Sequence, residues 1–194
     1  MQHNAGLSFF QEVCMTRSTC FREFIQYAAL NVMGMIGLSC YILADTFFVS
    51  KGLGTNGLTA LNLAIPVYSF IHGSGLMIGM GGATKYAIQK SQREYEEANR
   101  TFTSAVCLAA VFAAFFVLVG IFFPGAIVSL FGAEGSVFAM SKTYLQVILL
   151  FAPAFLMNNV LLCFVRNDGA PQLSMAAMIG GSLSNVGLDW VVIF

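Results

Sequence analysis

The chain has 194 residues, of which 58% are hydrophobic and only 9% charged, and its formal net charge is zero. Soluble domains carry about 25% charged residues, so the composition excludes an ordinary soluble domain and reads as an integral membrane protein. With no basic tract, no nucleic-acid partner is expected; the five cysteines (Cys14, Cys20, Cys40, Cys107, Cys163) form no CxxC pair and read as small buried hydrophobes.

Residues 1–22 are polar with some Phe and read as a cytoplasmic N-terminal segment, a short interfacial helix ending at Arg22. No short apolar core with a cleavage site stands there, so no removable signal peptide is expected. The rest, 23–194, reads as membrane domain. About 20 apolar residues span a bilayer as a helix, which sets the first span at about Phe24–Val49. Asp45 lies inside it, with Tyr41 one turn earlier and Leu38, Gly34 and Asn31 continuing that face. A snorkelling interfacial Asp is the rival reading for Asp45.

Lys51–Thr59 is a glycine-rich turn whose GxGxxG match has no strand before it, so it does not read as a dinucleotide loop. The second helix runs over about Leu58–Gln89. Asn62, Pro66, Ser69 and Gly73 share one side of it, and Pro66 is expected to kink it. His72 in its middle reads first as a neutral histidine bonded to a neighbour, and second as a proton relay. Gly75 and Gly79 form a GxxxG pair suited to close packing. The charged run Lys85–Thr101 reads as a solvated helix end and loop. A third helix, about Phe102–Phe123, looks lipid-facing. Pro124–Ala139 reads as a short amphipathic hairpin, and a fourth helix covers about Tyr144–Val165, with Gln146, Pro153, Asn158 and Asn159 as polar or kinking positions.

The fifth helix, Pro171–Phe194, carries Ser182, Asn185 and Asp189 on one stripe. An ionisable group at bilayer depth costs about 2.5–3.5 kcal/mol on insertion scales, so Asp189 is expected to face a cavity, a partner or an ion. Oxygen ligands at helical spacing suit a hard cation or a proton; inter-helix hydrogen bonding is the plainer alternative for Ser182 and Asn185. The fold class is therefore all-α integral membrane, with about five transmembrane helices. Arg17, Arg22, Lys85, Lys90, Arg93, Arg100 and Arg166 fall on one side and Lys51 and Lys142 on the other. The larger set marks the cytoplasm, giving a multi-pass cell-membrane protein with a cytoplasmic N-terminus. Asp45 and Asp189 then share the outer halves of their helices.

Three stretches carry a family resemblance in the right order: ADTFFVSKGLGTNGLTALNLAIP, FGAEGSVFAMSKTYLQ and RNDGAPQLSMAAMIGGSLSNVGLDWVVIF. The chain resembles, from about Phe24 to Phe194, the N-terminal lobe of a prokaryotic multidrug and toxic compound extrusion (MATE) transporter. The resemblance implies a fold of two six-helix lobes that exports organic cations and amphipathic drugs against inward Na⁺ or H⁺. This chain would be an incomplete N-lobe, helices one to five, with the C-lobe or a second half as its missing partner. The resemblance also implies a coupling-cation site of Asp45, Asn185 and Asp189, with Tyr41 beside the first; Tyr41, Asn62, His72 and Ser182 are the expected cavity-lining residues. The family often has a proline where Leu30 stands, so any bend here would rely on Gly34 and Gly37. No cofactor is expected beyond the coupling ion, and no nucleophile–base pair points to an enzyme. Two alternatives stay open: a lipid-linked precursor flippase of the wider superfamily, expected to line its cavity with Arg and Lys that this chain lacks mid-helix, and a non-transporting membrane structural protein.

Overall fold

The computed structural model describes the backbone of residues 2–193 and the side chains of 21–22, 24–188 and 190–191. Every regular element among them is helical. The first, α1 (Gln2–Ser91), is two helices joined at Gly54, whose φ of 65° and ψ of −156° are the only non-helical pair inside it. Only a residue without a Cβ adopts that pair without strain, so the chain reverses at one glycine. The expected glycine-rich turn shrinks to that residue, with Gly52 and Gly57 already helical. We call residues 2–53 the first arm and 55–91 the second arm. The first arm is helical straight through Arg22, and the second arm keeps helical dihedrals through Pro66.

A tight turn at 92–94, with Arg93 at φ 65°, leads into α2 (Tyr95–Phe122). The predicted hairpin is instead a short helix, α3 (Pro124–Leu130), opened by its proline, followed by the start of α4 (Gly135–Leu150). The predicted fourth helix is bent by 46° between α4 and α5 (Ala152–Asn167), just before Pro153. The last element is α6 (Pro171–Ile193).

Among the described residues, Phe24–Ser91 and Tyr95–Phe122 are long and apolar enough to cross a membrane, and α4 with α5 adds a third candidate if the bent pair is one span. The fold is thus an all-α membrane fold, and a count of five spans goes beyond these candidates.

The core lies in two clusters between the second arm, α2, α3, α4 and α5. One joins Ala64 and Ile71 to Phe116, Val128, Leu145, Leu149 and Leu156. The other joins Ile78 and Ala83 to Ala105, Ala109, Val160, Cys163 and Phe164. Lipid is as apolar as these side chains, so close packing rather than escape from water holds such helices together. Small residues permit it. A Cβ on Gly75 would lie 3.1 Å from Asn159 Cβ, and one on Gly79 would lie 3.1 Å from the Val160 Cα.

Two expectations are corrected here. α2 is not wholly lipid-facing: Ala98, Ala105, Ala109, Ala113, Phe116 and Gly120 form a buried stripe at helical spacing, while Val111, Phe115 and Phe122 stay outside. A stripe made mostly of alanine carries little hydropathy contrast against valine and phenylalanine, which hid it in the sequence. Cys163 is buried, but Cys40 and Cys107 are exposed, because in an apolar solvent a small side chain is as well placed outside as inside. Cys14 and Cys20 lie outside the described side chains.

Candidate cation site

The first arm and α6 pack along one another. A Cβ on Gly34 would meet Met178 Sδ at 3.2 Å, and one on Gly37 would meet Ile179 Cγ1 at 3.4 Å. Both contacts advance in the same direction, so the helices run parallel. Gly34 and Gly37, which the sequence offers as room for a neighbouring helix or as a bend, are thus the close-approach surface for α6. Asp45 is eleven residues beyond Gly34, and Asp189 is eleven beyond Met178. At equal rise the two positions fall at one level of the helix pair.

The face of the first arm that carries Asp45 is its covered face. Gly34 is buried, and Asn31, Leu38, Tyr41 and Asp45 are half-buried, whereas Met35, Ile42 and Phe47 on the other sides are exposed. Neither Tyr41 nor Asp45 is without an interaction partner. On α6, Ser182 is half-buried and its hydroxyl donates to the Met178 carbonyl at 2.9 Å. Asn185 is exposed and makes no hydrogen bond among the described residues. Ser182 and Asn185, read as one stripe, therefore differ: the first is half-buried and the second exposed. The side chain of Asp189 lies outside the described residues. No group of three His, Cys, Asp or Glu side chains gathers among the described residues.

Of the remaining cavity candidates, Asn62 is exposed, on the same open side of the second arm as Pro66, Ser69 and Gly73. His72 sits between the second arm and α5, where the Asn159 amide lies 2.9 Å from its Nδ1. With the amide nitrogen as donor, Nδ1 is the acceptor of this bond. Tyr68 stacks on His72 with centroids 5.9 Å apart, and Phe155 meets Tyr68 edge-on at 5.4 Å. Asn159 is 6% exposed, and the sequence marked it only as a polar position within the fourth helix. The available signal was a buried amide facing a GxxxG pair one helix away, legible only once the helices are paired.

Charge is sorted by the ends of the bundle. Lys90, at the end of the second arm, pairs with Asp168 in the turn before α6. Arg166 donates from Nη1 to Asn31 Oδ1 at 2.8 Å, tying α5 to the first arm. Thr101 donates to Gln89 at 2.6 Å beside the 92–94 turn. Lys85, Arg93 and Arg100 belong to this same end. Lys51 lies near the Gly54 break, and Lys142 lies beside Gly125 in α3, both at the other end.

The multidrug export protein MepA of Staphylococcus saprophyticus is 24% identical over 178 residues, 92% of this chain and 40% of MepA. MepA of Staphylococcus aureus gives the same identity and coverage. The chain therefore spans about 40% of the length of these curated relatives. Among solved structures, the MATE multidrug transporter DinF-BH, in complex with R6G, superimposes with a TM-score of 0.79 at 26% identity, over 87% of this chain and 38% of DinF-BH. A MOP superfamily transporter from Pyrococcus furiosus superimposes with a TM-score of 0.70 at 32% identity, over 84% of this chain and 36% of that one. Residues 31–191 match the MatE family model, from the first arm through nearly all of α6, and the chain belongs to the MatE family.

Proposed function

We propose that this chain forms the cation-coupling part of a multidrug efflux antiporter, with Asp45, Asn185 and Asp189 as the ligands of an inward-moving Na⁺ or H⁺. The observation that supports it is the parallel contact of the first arm with α6 through Gly34 and Gly37, which sets the Asp45 and Asp189 positions level. Two carboxylates sharing one apolar depth repel each other unless a proton or cation lies between them. Binding the cation draws the first arm and α6 together, and releasing it lets them part. Such a site drives transport only if its affinity differs between inward- and outward-facing states. The exported substrates are small amphipathic drugs, in keeping with the names of the MepA relatives and the DinF-BH complex with R6G. The basic end of the bundle, with Lys85, Arg100 and Arg166, faces the cytoplasm, and the first arm, second arm, α2, the α4–α5 pair and α6 are five spans.

The test is gradient-driven drug efflux in vesicles carrying the intact transporter, with surface expression checked. Asp45→Asn and Asp189→Asn keep shape and remove charge, so each should abolish coupling while folding survives. The double variant should be little worse than either single, because ligands of one site are not additive. Asn185→Ala should weaken ion dependence less, since it removes a neutral ligand. Normal efflux from both single Asp variants would make these carboxylates structural and sink the shared-site reading.

A further inference from the structure

The second arm and α2 touch at Gly82, where an added Cβ would lie 3.0 Å from Ala105 Cβ, and they part in front of that contact. The gap is a groove of about 510 Å³ that runs from Met77 and Leu108 at its apolar end to Lys85, Glu97 and Arg100 at its mouth. Met77 to Lys85 is eight residues, about 12 Å of helix axis. Gly81 forms part of its wall, and a Cβ there would meet nothing within 4 Å. Met77 and Leu108 are 68% and 47% exposed, so the apolar end opens sideways on the surface of the bundle.

The mouth lies at the basic end of the bundle. Lys85 makes no hydrogen bond or ion pair among the described residues. Arg100 gives one N–H to Glu97 at 3.3 Å, in a pair whose side chains are 77% and 54% exposed. Such a pair holds weakly, and a guanidinium has four further N–H donors in a fork that matches a phosphate. A largely apolar slot whose mouth carries two cations against one exposed carboxylate, a net charge of +1, is complementary to one molecule that the membrane supplies from its own leaflet. A diffusing anion would not use the slot, and a neutral chain would not use the cations.

From this geometry we infer that the groove between the second arm and α2 binds an anionic phospholipid, its acyl chain along Gly81 and its phosphate between Lys85 and Arg100. The site rests on the membrane fold and is independent of the antiporter reading. The experiment is native mass spectrometry of the detergent-purified protein titrated with phosphatidylglycerol or phosphatidylcholine. Phosphatidylglycerol should bind more tightly. Lys85→Gln and Arg100→Gln should each weaken it about fivefold and the double variant about thirtyfold, as expected for two juxtamembrane cations, with phosphatidylcholine unchanged. Gly81→Leu fills the slot and keeps both charges, so it should also weaken phosphatidylglycerol, and helicity by circular dichroism should stay at the parental value for every variant. Equal binding of the two lipids, or an unchanged phosphatidylglycerol affinity in the double variant, would overturn the site. Complete displacement by millimolar inorganic phosphate would overturn it too, by showing an anion site with no use for the chain.

Discussion

Gly79 and Gly81 stand two residues apart on the second arm, and the structure gives them opposite responses to the same methyl group. At Gly79 a Cβ would lie 3.0 Å from Cys163 Sγ, 3.1 Å from Cys163 Cβ and 3.1 Å from Val160 Cα. Val160 Cα is main chain inside α5, and Cys163 is 1% exposed, so α5 itself must move to make room. Overpacking of this kind costs about 1–3 kcal/mol. Replacing a mid-helix glycine by alanine gains about 0.5–1 kcal/mol by restricting the unfolded chain. At Gly81 the added Cβ meets nothing within 4 Å, so only the gain applies. The propensity term is common to both variants and cancels in their difference. Gly79→Ala should therefore be less stable than Gly81→Ala by about 1–3 kcal/mol, the overpacking cost alone. Unfolding in mixed micelles with increasing dodecyl sulfate, followed by far-ultraviolet circular dichroism, measures both in one detergent. Equal stabilities of the two variants would mean that the second arm and α5 are not in this contact.

Other outcomes follow from single contacts. Removing one member of the His72–Asn159 hydrogen bond leaves a buried polar group unpaired, so Asn159→Leu should cost about 1–3 kcal/mol; the His72→Leu, Asn159→Leu double variant should cost less than the sum of the singles, read from a double-mutant cycle in the same micelles. Gly54→Ala should destabilise by about 1–3 kcal/mol although nothing lies near the new Cβ, because the cost is in the backbone dihedrals; a neutral result would remove the turn from Gly54. Lys90→Ala should leave stability almost unchanged, since its pair with Asp168 is exposed on both sides, whereas Arg166→Ala should loosen the first arm, seen as faster proteolysis near Asn31. Reporter fusions after Lys90 should read cytoplasmic and fusions after Lys51 or Glu134 external; the reverse pattern would overturn the orientation.

The sequence by itself determined the solvent of this protein, the class of its fold and the sorting of its charges. Those follow from sums over the chain: too few charges for water, apolar runs of spanning length, and Lys and Arg divided seven to two between the two sides. It also singled out Asp45 and Asp189, because an ionisable residue in an apolar run stands out without any partner being known. Element edges were less legible. The break at Gly54 rather than at Gly52 or Gly57, and the bend before Pro153, are choices among equivalent local signals that neighbouring helices make. Most of the pairing was not legible. That Gly34 and Gly37 receive α6, that α2 buries its alanines, and that Asn159 bonds His72 across 87 residues are decided by which helix faces meet. In a bilayer every face is apolar, so hydropathy does not mark the buried one; small side chains and complementary shape do, and they act only when two helices are already side by side.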